Sequence, residues 1–521
     1  MGPERSGPRI GRTGSWLWIA ALLAASHLDP TPRLAMAEQN PSPRAQATNL
    51  LILVADDHRA GTLGIDGDRR QATPRLDMLA RQGVRFSHAF CNSPLCTASR
   101  QSFITGRLPH AVGVNHLATA LPATAVTLGN WLAPLGYSTA AIGKMHFNGK
   151  DHHGFQERVD LDDWERWLKA FPPAGGDHRR RFRPLKDPAS VWLNADYRPA
   201  GLPAAAMDST FFADQAIEYL ERHRDRPFLL VAGFYDPHAP FHFPDDWPGR
   251  FRPTSFPIPP ATEAELRERP REFRALSGQH AQGIQASYYT SLSFLDQQIG
   301  RVLDALDTAG LAGNTVVAYL GDNGYLLGEH ARFEKHCLYD PAVRVPLIVR
   351  WPGHLPAGRK VDAMVELVDL MPTLLDLAGV APPPGMHGLS LVPLMKGEPK
   401  AQGRDVVFSE YLANEEAMVR SERYKLIVGN GRVRRTDGYD NGLPLRGPYE
   451  ILFDLQVDPG ETVDLSSRPE LEPVKAALRH RLYARLVSTS DGIVRPPSVQ
   501  SEADMIRWGL IPRDRRATGP D

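Results

Sequence analysis

The chain has 521 residues, more than a single hydrophobic core usually holds, so we expect a large domain with a smaller one appended. Lysine plus arginine and aspartate plus glutamate each number 60, and this balance points neither to nucleic acid nor to an anionic membrane as a partner. Three cysteines are too few for a disulfide-rich scaffold.

The first 37 residues are typical of a cleaved export signal. Three arginines precede the apolar run 16–25, and Ala-Met-Ala at 35–37 offers a cleavage site. The apolar run has about half the length needed to span a bilayer, so we predict no stable membrane anchor. Cleavage nearer Ala25, an uncleaved anchor and a disordered tail are the alternatives. We expect a periplasmic or secreted mature protein that begins near residue 38.

From residue 49 onward, apolar runs alternate with helical patterns, which predicts an α/β fold with a large mixed, mostly parallel sheet between helices. The predicted strands are 49–55, 84–90, 138–142, 228–234, 315–320 and 345–350. The predicted helices are 74–82, 96–105, 126–135, 209–222, 284–307 and 367–378. We assign this N-terminal catalytic domain to residues 46–385.

Two long segments, 148–208 and 239–282, are irregular in pattern, and loops of such length are usually functional or disordered. The first contains the basic run 178–183 and three tryptophans. We hypothesise that it shapes a substrate pocket, while a solvated loop is the simpler interpretation of the basic run.

The last part of the chain predicts a smaller unit. Residues 386–405, rich in proline and glycine, are predicted to be a linker. Short strand-like runs follow at 406–409, 423–428 and 451–455, with a final helix near 471–487. These patterns predict a C-terminal α+β subdomain at 406–500 that contains an antiparallel sheet, and a tail at 501–521.

Polar side chains follow four predicted strands at their carboxyl ends, where open α/β sheets bind ligands. They are Asp56, Asp57, Lys144, His146, Asp236, His238, Asp322 and Asn323. We therefore expect them to converge on one pocket. The oxygen ligands among them suit Ca²⁺ or Mg²⁺ better than zinc. Taken singly, an Asp-Asp pair at a strand end is more often a turn or a helix cap.

If the chain stays extended after the third strand, Lys144 and His146 share one face and can meet one ligand.

Cys96 is predicted to lie in the first turn of a helix. Pro94 fixes the chain just before it, and helix-forming residues continue to the stop signal Gly106. Free backbone N–H groups and the helix dipole favour negative charge at that position, which suits a nucleophile that attacks an anionic ester. A small buried cysteine is the alternative, but it explains neither Arg100 nor the helix start.

The segment Cys96-Thr-Ala-Ser-Arg100 fits the pattern Cys-x-(Pro/Ala)-x-Arg, and the chain resembles the formylglycine-dependent sulfatases of the alkaline-phosphatase-like superfamily. The resemblance covers roughly residues 48–485. The matching stretches are 96–107 (CTASRQSFITGR), 136–146 (GYSTAAIGKMH), 235–241 (YDPHAPF), 287–306, 321–335 (GDNGYLLGEHARFEK), 345–353 (VPLIVRWPG) and 452–461. Residues 145–147 and 151–155 are similar to choline-sulfatase-like members.

The resemblance implies a role for each site residue. Cys96 would be oxidised to formylglycine by a formylglycine-generating or sulfatase-maturing enzyme, and its hydrated form would attack sulfur. Asp56, Asp57, Asp322 and Asn323, with the modified Cys96, would bind one divalent metal, Ca²⁺ in most members, with Mg²⁺ as the alternative.

Among the remaining residues, Arg100 and Lys144 would stabilise the formylglycine, and His146 would act as the base that regenerates the aldehyde. His238 and Lys335 would contact the sulfate. Two positions near Lys335 depart from the family pattern. Glu334 stands where many members have a small residue, and Asp340 stands where glutamate is common.

The sequence thus predicts a sulfuric ester hydrolase acting on a small-molecule or carbohydrate sulfate ester. One alternative is a phosphonate monoester or phosphodiester hydrolase on the same scaffold. Another is an exported ligand-binding protein with unmodified Cys96. Cys91 and Cys337 could pair, and the sequence leaves open whether they are close enough. It also leaves open the oligomeric state and the alcohol part of the substrate.

Overall fold

In this computed structural model, the structure describes residues 47–172, 188–247, 250–490 and 501–512. The predicted export signal and the basic run 178–183 lie outside these residues. Within the described ranges, no helix combines the length and apolar character needed to cross a membrane.

An eight-stranded sheet forms the core of the larger part of the chain. Its strands are β1 (Asn49–Ala55), β2 (Val84–Phe90), β3 (Ser138–Gly143), β4 (Glu157–Val159), β5 (Phe228–Gly233), β6 (Thr315–Gly321), β7 (Arg344–Arg350) and β8 (Arg359–Glu366). Their order across the sheet is β4-β3-β5-β1-β6-β7-β2-β8. Neighbours pair in parallel except at β7, which is antiparallel to both β6 and β2. The predicted mixed, mostly parallel sheet is confirmed.

Helices cover both faces of this sheet. The helices in this part of the chain are α1 (Pro74–Gln82), α2 (Cys96–Thr105), α3 (Pro109–Val112), α4 (Leu128–Leu132), α5 (Leu161–Ala170), α6 (Ala189–Trp192), α7 (Asp208–Arg222), α8 (Glu263–Glu268), α9 (Gly278–Thr308), α10 (Asp340–Val343), α11 (Leu370–Leu377) and α12 (Val392–Lys396). Side chains alternate between the faces of β1. Leu51 and Leu53 pack with α1, α7 and α9, whereas Leu50 and Ile52 pack with α2 and α11.

A second sheet of four antiparallel strands follows, as predicted. Its strands are β9 (Val407–Tyr411), β10 (Glu416–Arg420), β11 (Tyr424–Gly429) and β12 (Tyr449–Asp454), in the order β12-β11-β10-β9. Helices α13 (Glu472–Thr489) and α14 (Glu502–Gly509) pack on this sheet through Leu478, Leu482 and Ile506. Helix α14 lies in the segment predicted to be a tail, and α12 lies in the predicted linker.

The sequence patterns miss three strands, β4, β8 and β10. β8 lies at the edge of the large sheet, and exposed Lys360 and Asp362 flank the buried Val361, so the strand has no continuous apolar run. Cys91 and Cys337, whose pairing the sequence leaves open, are both free and buried thiols.

Candidate active site

The predicted site residues lie at one edge of the large sheet. β3, β5, β1 and β6 are consecutive in the sheet, and the eight polar residues named above follow their carboxyl ends. β2 points the same way as β6, because both are antiparallel to β7, and the chain leaves β2 shortly before Cys96. The structure therefore brings all of the predicted positions to the same edge, where open α/β sheets bind ligands.

The three aspartates and Asn323 form an interlinked group. The Asp57 amide N–H donates to Asp322 Oδ1 at 3.1 Å, and Asn323 Nδ2 donates to Asp57 Oδ1 at 2.7 Å. Asp57 has a left-handed backbone with φ 64°, which aspartate adopts more readily than most residues. One carboxylate oxygen each from Asp56, Asp57 and Asp322 lie within 4.8 Å of one another. The three carboxylates are thus close enough to share one cation.

Cys96 is the first residue of α2, as predicted, and its side chain is buried. The Lys335 ammonium group donates to Cys96 Sγ at 3.1 Å and to Asp57 Oδ1 at 2.5 Å. Lys335 therefore bridges the thiol and the carboxylates, although the sequence around it departs from the family pattern. Burial raises the pKa of the Cys96 thiol, against the opposing effect of Lys144 and Lys335. The unmodified thiol is consequently a poor nucleophile near pH 7.

Arg100 and Lys144 place positive charge beside the carboxylates. Arg100 lies one helical turn after Cys96 and is buried, and its Nε donates to Asp322 Oδ2 at 2.7 Å. Its Nη1 donates to the carbonyl oxygen of Lys144, whose ammonium group pairs with Asp56. Burial opposes the ionisation of Asp56, but Lys144 and other cations outweigh it and hold the pKa of Asp56 well below its ordinary value.

The chain turns after β3, which corrects the expectation of an extended stretch that places Lys144 and His146 on one face. β3 ends at Gly143, and His146 has a left-handed backbone with φ 56°. The turn brings the His146 ring to the first turn of α2, where Nδ1 lies 3.0 Å from Thr97 Oγ1. Burial, followed by the charges of Lys144 and Arg100, lowers the pKa of His146 well below its ordinary value, so the imidazole is neutral near pH 7.

His238 lies at the opening of the site, with 25% of its side chain exposed. Its Nδ1 lies 2.6 Å from the carbonyl oxygen of Ala239, and its Nε2 lies 3.9 Å from Asp57 Oδ2. Because the carbonyl oxygen accepts the proton of Nδ1, the lone pair of Nε2 faces the site. Desolvation of the ring lowers the pKa of His238 to about 3.

Three buried oxygens of this group have no hydrogen-bond donor among the described residues. They are Asp56 Oδ1, Asp57 Oδ2 and Asn323 Oδ1. Buried acceptors are rarely left unpaired, because each costs about 1–3 kcal/mol. Burial also raises the pKa of Asp57, and that of Asp322 to about 6, so both carboxylates would gain from a further positive charge. A divalent cation that prefers oxygen ligands, Ca²⁺ or Mg²⁺, fits these residues.

Asp236 supports the site by connecting three of its elements, a role that no sequence motif indicates. Its carboxyl group accepts hydrogen bonds from Ser209 Oγ at 2.6 Å and Ser291 Oγ at 2.8 Å. Its carbonyl oxygen accepts from the backbone N–H of Asp56 at 3.2 Å. The available signal was its position after β5, next to His238. The two serines lie on α7 and α9, and no local pattern connects them with Asp236.

Two family models match the chain. Residues 48–380 match the model described as sulfatase, and residues 328–487 match the one described as N-sulphoglucosamine sulphohydrolase, C-terminal. The chain is 27% identical to an arylsulfatase of Clostridium perfringens (strain 13 / Type A), over 85% of this chain and 95% of the relative. It is also 27% identical to an ulvan-active sulfatase of Formosa agariphila, over 91% of this chain and 87% of the relative.

Among solved structures, the phosphonate monoester hydrolase of Agrobacterium radiobacter has a similar fold. The TM-score is 0.72 and the sequence identity is 24%, over 85% of this chain and 96% of that chain. At this level of identity, the likeness shows a shared fold and carries no argument about the substrate.

Proposed function

Since this chain belongs to the sulfatase family and is a sulfatase, we propose that it hydrolyses a sulfate monoester through a formylglycine formed at Cys96 and one bound divalent cation. The observation that carries the proposal is the position of Cys96. Its Sγ lies at the start of α2 and 3.1 Å from the Lys335 ammonium group, beside three buried oxygens that lack a donor among the described residues.

The surroundings of Cys96 support the attack of a nucleophile on an anionic ester. The free N–H groups at the start of α2 attract negative charge. Lys144 and Lys335 add two ammonium groups at the same edge, each paired with an aspartate. Cations held in place before the reaction stabilise the charge that develops on the sulfate group.

Asp56, Asp57, Asp322 and Asn323 would hold the cation, which we propose to be Ca²⁺. When bound, a divalent cation polarises a sulfate oxygen and favours ionisation of the nucleophile. Arg100 keeps Asp322 in place through its Nε, because this guanidinium is buried and cannot turn to solvent.

The two histidines would handle protons on different sides of the nucleophile. His146 is neutral and lies against the first turn of α2, so it can accept a proton when the aldehyde is regenerated. His238 is partly exposed, and its Nε2 faces Asp57 in the site, so it would contact the ester. The negative charge of a bound sulfate would raise the pKa of His238 and favour its protonated form.

A mass spectrum of the Cys96 peptide, combined with initial rates, tests this proposal. The protein is produced with and without a formylglycine-generating enzyme. We expect the thiol to be replaced by an aldehyde or its hydrate only with that enzyme, and hydrolysis of an aryl sulfate to follow the modified fraction. Equal rates from fully unmodified protein would disprove the formylglycine mechanism. A strong preference for an aryl phosphonate diester over the aryl sulfate would instead favour the phosphonate hydrolase alternative.

For the alcohol part of the substrate, we propose a carbohydrate. A cavity whose lining includes His336, the residue after Lys335 in the chain, is lined by aromatic rings and polar groups, a combination that suits sugar rings. The lining includes His336, Asn414, Tyr439, Asn441 and Tyr449. Initial rates on sulfated monosaccharides and on an aryl sulfate test this point, and we expect the higher kcat/KM for a sugar.

The predicted export signal supports the proposal that the mature enzyme is periplasmic or secreted.

A further inference from the structure

An ion pair between the partly exposed Arg435 and the buried Glu334 connects the C-terminal subdomain with the segment that carries Lys335. From it we infer that Arg435 is a positioning residue: by holding Glu334, it fixes the neighbouring Lys335 ammonium group against Cys96. The inference rests on the proposed function, because it takes Lys335 as part of the catalytic machinery.

Glu334 is completely buried and is held by two guanidinium groups. Its carboxylate accepts from Arg435 Nη2 at 2.7 Å and from Arg332 Nη1 at 2.9 Å. Its backbone carbonyl oxygen accepts from the N–H of Leu326 at 2.8 Å. A buried carboxylate without partners would be strongly destabilising, so these contacts fix the main chain at Glu334.

Lys335 follows directly and points the other way, into the site. Its Nζ lies 2.5 Å from Asp57 Oδ1 and 3.1 Å from Cys96 Sγ. A lysine side chain has four rotatable bonds, so a fixed main chain reduces the freedom that it must lose to make both contacts. Displacement of Glu334 would therefore displace the ammonium group.

Arg435 is itself held rigidly by the segment between β11 and β12. It pairs with Asp437 at 2.8 Å, and its guanidinium lies 5.2 Å from the centre of the Tyr439 ring. Asp437 also accepts from Tyr411 OH at 2.6 Å, which connects the segment to β9. Asp437 and Tyr439 thus fix the orientation of the planar Arg435 guanidinium, which favours its bidentate contact with Glu334.

The C-terminal subdomain holds the same segment on the other side of Lys335. Lys425 of β11 is completely buried and donates to the carbonyl oxygen of Leu338 at 3.1 Å. It also pairs with Asp340 at 2.6 Å, which Arg420 approaches to 3.3 Å. Glu334 and Asp340, the two positions that depart from the family pattern, are therefore both ion-pair partners of the C-terminal subdomain.

A kinetic comparison of two arginines in one segment tests the inference. Arg435→Ala is compared with Arg432→Ala in the full chain, with aryl sulfate as substrate. Arg432 makes a similar pair, 2.7 Å from the buried Glu415, but within its own subdomain. We expect kcat/KM to fall at least about tenfold for Arg435→Ala, because small displacements of a positioning group are costly. The Arg432→Ala enzyme should keep the wild-type value.

A double-mutant cycle with Lys335→Ala separates positioning from general destabilisation. If Arg435 acts through Lys335, then Arg435→Ala should cause no further loss of kcat/KM in the Lys335→Ala background. Additive losses would overturn the inference, as would equal kinetics for the two arginine variants. Should Arg435→Ala not yield folded protein, Glu334→Gln replaces it in the same cycle, with the same two outcomes.

The formylglycine content of every variant is measured by mass spectrometry, and rates are given per modified Cys96. Failure of the proposed function would appear as a wild-type enzyme without sulfatase activity when fully modified. Failure of the present inference would leave the wild type active and the cycle additive.

Discussion

At the scale of single residues, the site is built from charged groups that depend on one another. Arg100 pairs with Asp322, Lys144 with Asp56, and Lys335 with Asp57. Each of these cations is buried together with its partner, so removal of one leaves an uncompensated charge. Among the described residues, three of the buried oxygens without a hydrogen-bond partner belong to the predicted metal ligands Asp56, Asp57 and Asn323. A bound divalent cation would therefore add to the stabilisation that these paired cations give the carboxylates.

We predict that removal of divalent cations lowers both activity and thermal stability. A chelator would leave Asp56 Oδ1, Asp57 Oδ2 and Asn323 Oδ1 without a hydrogen-bond donor among the described residues. Saturating Ca²⁺ should raise Tm by several degrees, because a ligand that binds only the folded state stabilises it. Thermal unfolding with and without Ca²⁺ measures the shift. In Asn323→Ala the shift should shrink, and a full shift in that variant would contradict the ligand assignment.

At the scale of secondary structure, β3 and the turn after it deliver two site residues. The carbonyl oxygen of Gly233 in β5 accepts from the N–H of Lys144 at 2.7 Å. A Cβ added at Gly143 would overlap the same carbonyl oxygen. The φ of Gly143, 85°, is also one that side chains other than glycine rarely adopt. Gly143 is thus required both for the close approach and for the turn.

We predict that Gly143→Ala destabilises the fold more than Gly113→Ala does. The two glycines have almost the same φ, 85° and 84°, but a Cβ at Gly113 meets open space. Alanine therefore meets the same backbone strain at both positions. The difference between the two losses in the free energy of unfolding measures the overlap of the new Cβ with β5. We expect a difference of at least about 1 kcal/mol in the free energy of unfolding, measured with urea. Equal losses would show that β5 adjusts without cost.

Asp296 joins two helices. It lies on α9, is buried, and accepts from the backbone N–H groups of Arg75 and Leu76 in the first turn of α1, at 3.0 and 2.8 Å. Burial raises the pKa of Asp296 from 3.8 to about 7. Between these values the folded chain holds a proton that the unfolded chain releases. The contribution of this proton to stability is complete below the ordinary pKa and is lost as the pH rises through about 7.

We predict that the stability of the wild type relative to Asp296→Asn decreases from about pH 5 to about pH 8, by more than about 1 kcal/mol. Urea unfolding at both pH values gives the two differences. Asp304→Asn, on the same helix but with an aspartate that is 63% exposed, serves as the matched control. A constant or rising difference for Asp296→Asn would contradict the prediction.

The elements that the sequence predicts best are those with a continuous apolar run or a clear start and stop. β1, β2, α1 and α2 have the predicted bounds for this reason. α9 begins at Gly278, earlier than its apolar pattern, because a capping box between Ser277 and His280 starts it with polar residues. The contacts of Glu334 with Arg435 could not be predicted, since 101 residues separate them and neither has a local signal.

At the scale of the whole molecule, the two sheets are joined by buried polar contacts. The described residues, 47–172, 188–247, 250–490 and 501–512, belong to one compact unit. The backbone N–H of His110 in α3 donates to Glu410 Oε1 of β9 at 2.7 Å, and His110 Nε2 lies 2.9 Å from Thr489 Oγ1 of α13. The ion pairs of Lys425 add to these contacts. Separation of the two sheets would therefore expose buried charged groups and leave them without their partners.

We predict that the catalytic domain and the C-terminal subdomain unfold in one transition. Hydrogen exchange of β1 and β11 peptides, followed at increasing urea, should give the same midpoint for both. In His110→Ala the β11 peptide should exchange at lower urea than the β1 peptide, because the contact of the His110 ring with Thr489 is lost. Different midpoints in the wild type would show that the subdomain opens independently.

Strand β7 runs against its neighbours, and its direction shortens the path of the chain. The segment from Asp322 to Val343 leaves the carboxyl end of β6, beside the candidate site, and enters β7 on that same side of the sheet. If β7 were parallel to β6, the chain would have to cross from the carboxyl end of β6 to the opposite side of the sheet, which takes a dozen or more residues. The reversal lets one uninterrupted segment supply both a proposed metal ligand, Asn323, and Lys335, the proposed sulfate contact. An insertion in this segment would therefore change the distance between Asn323 and Lys335, and with it the distance between the proposed metal site and the proposed sulfate contact.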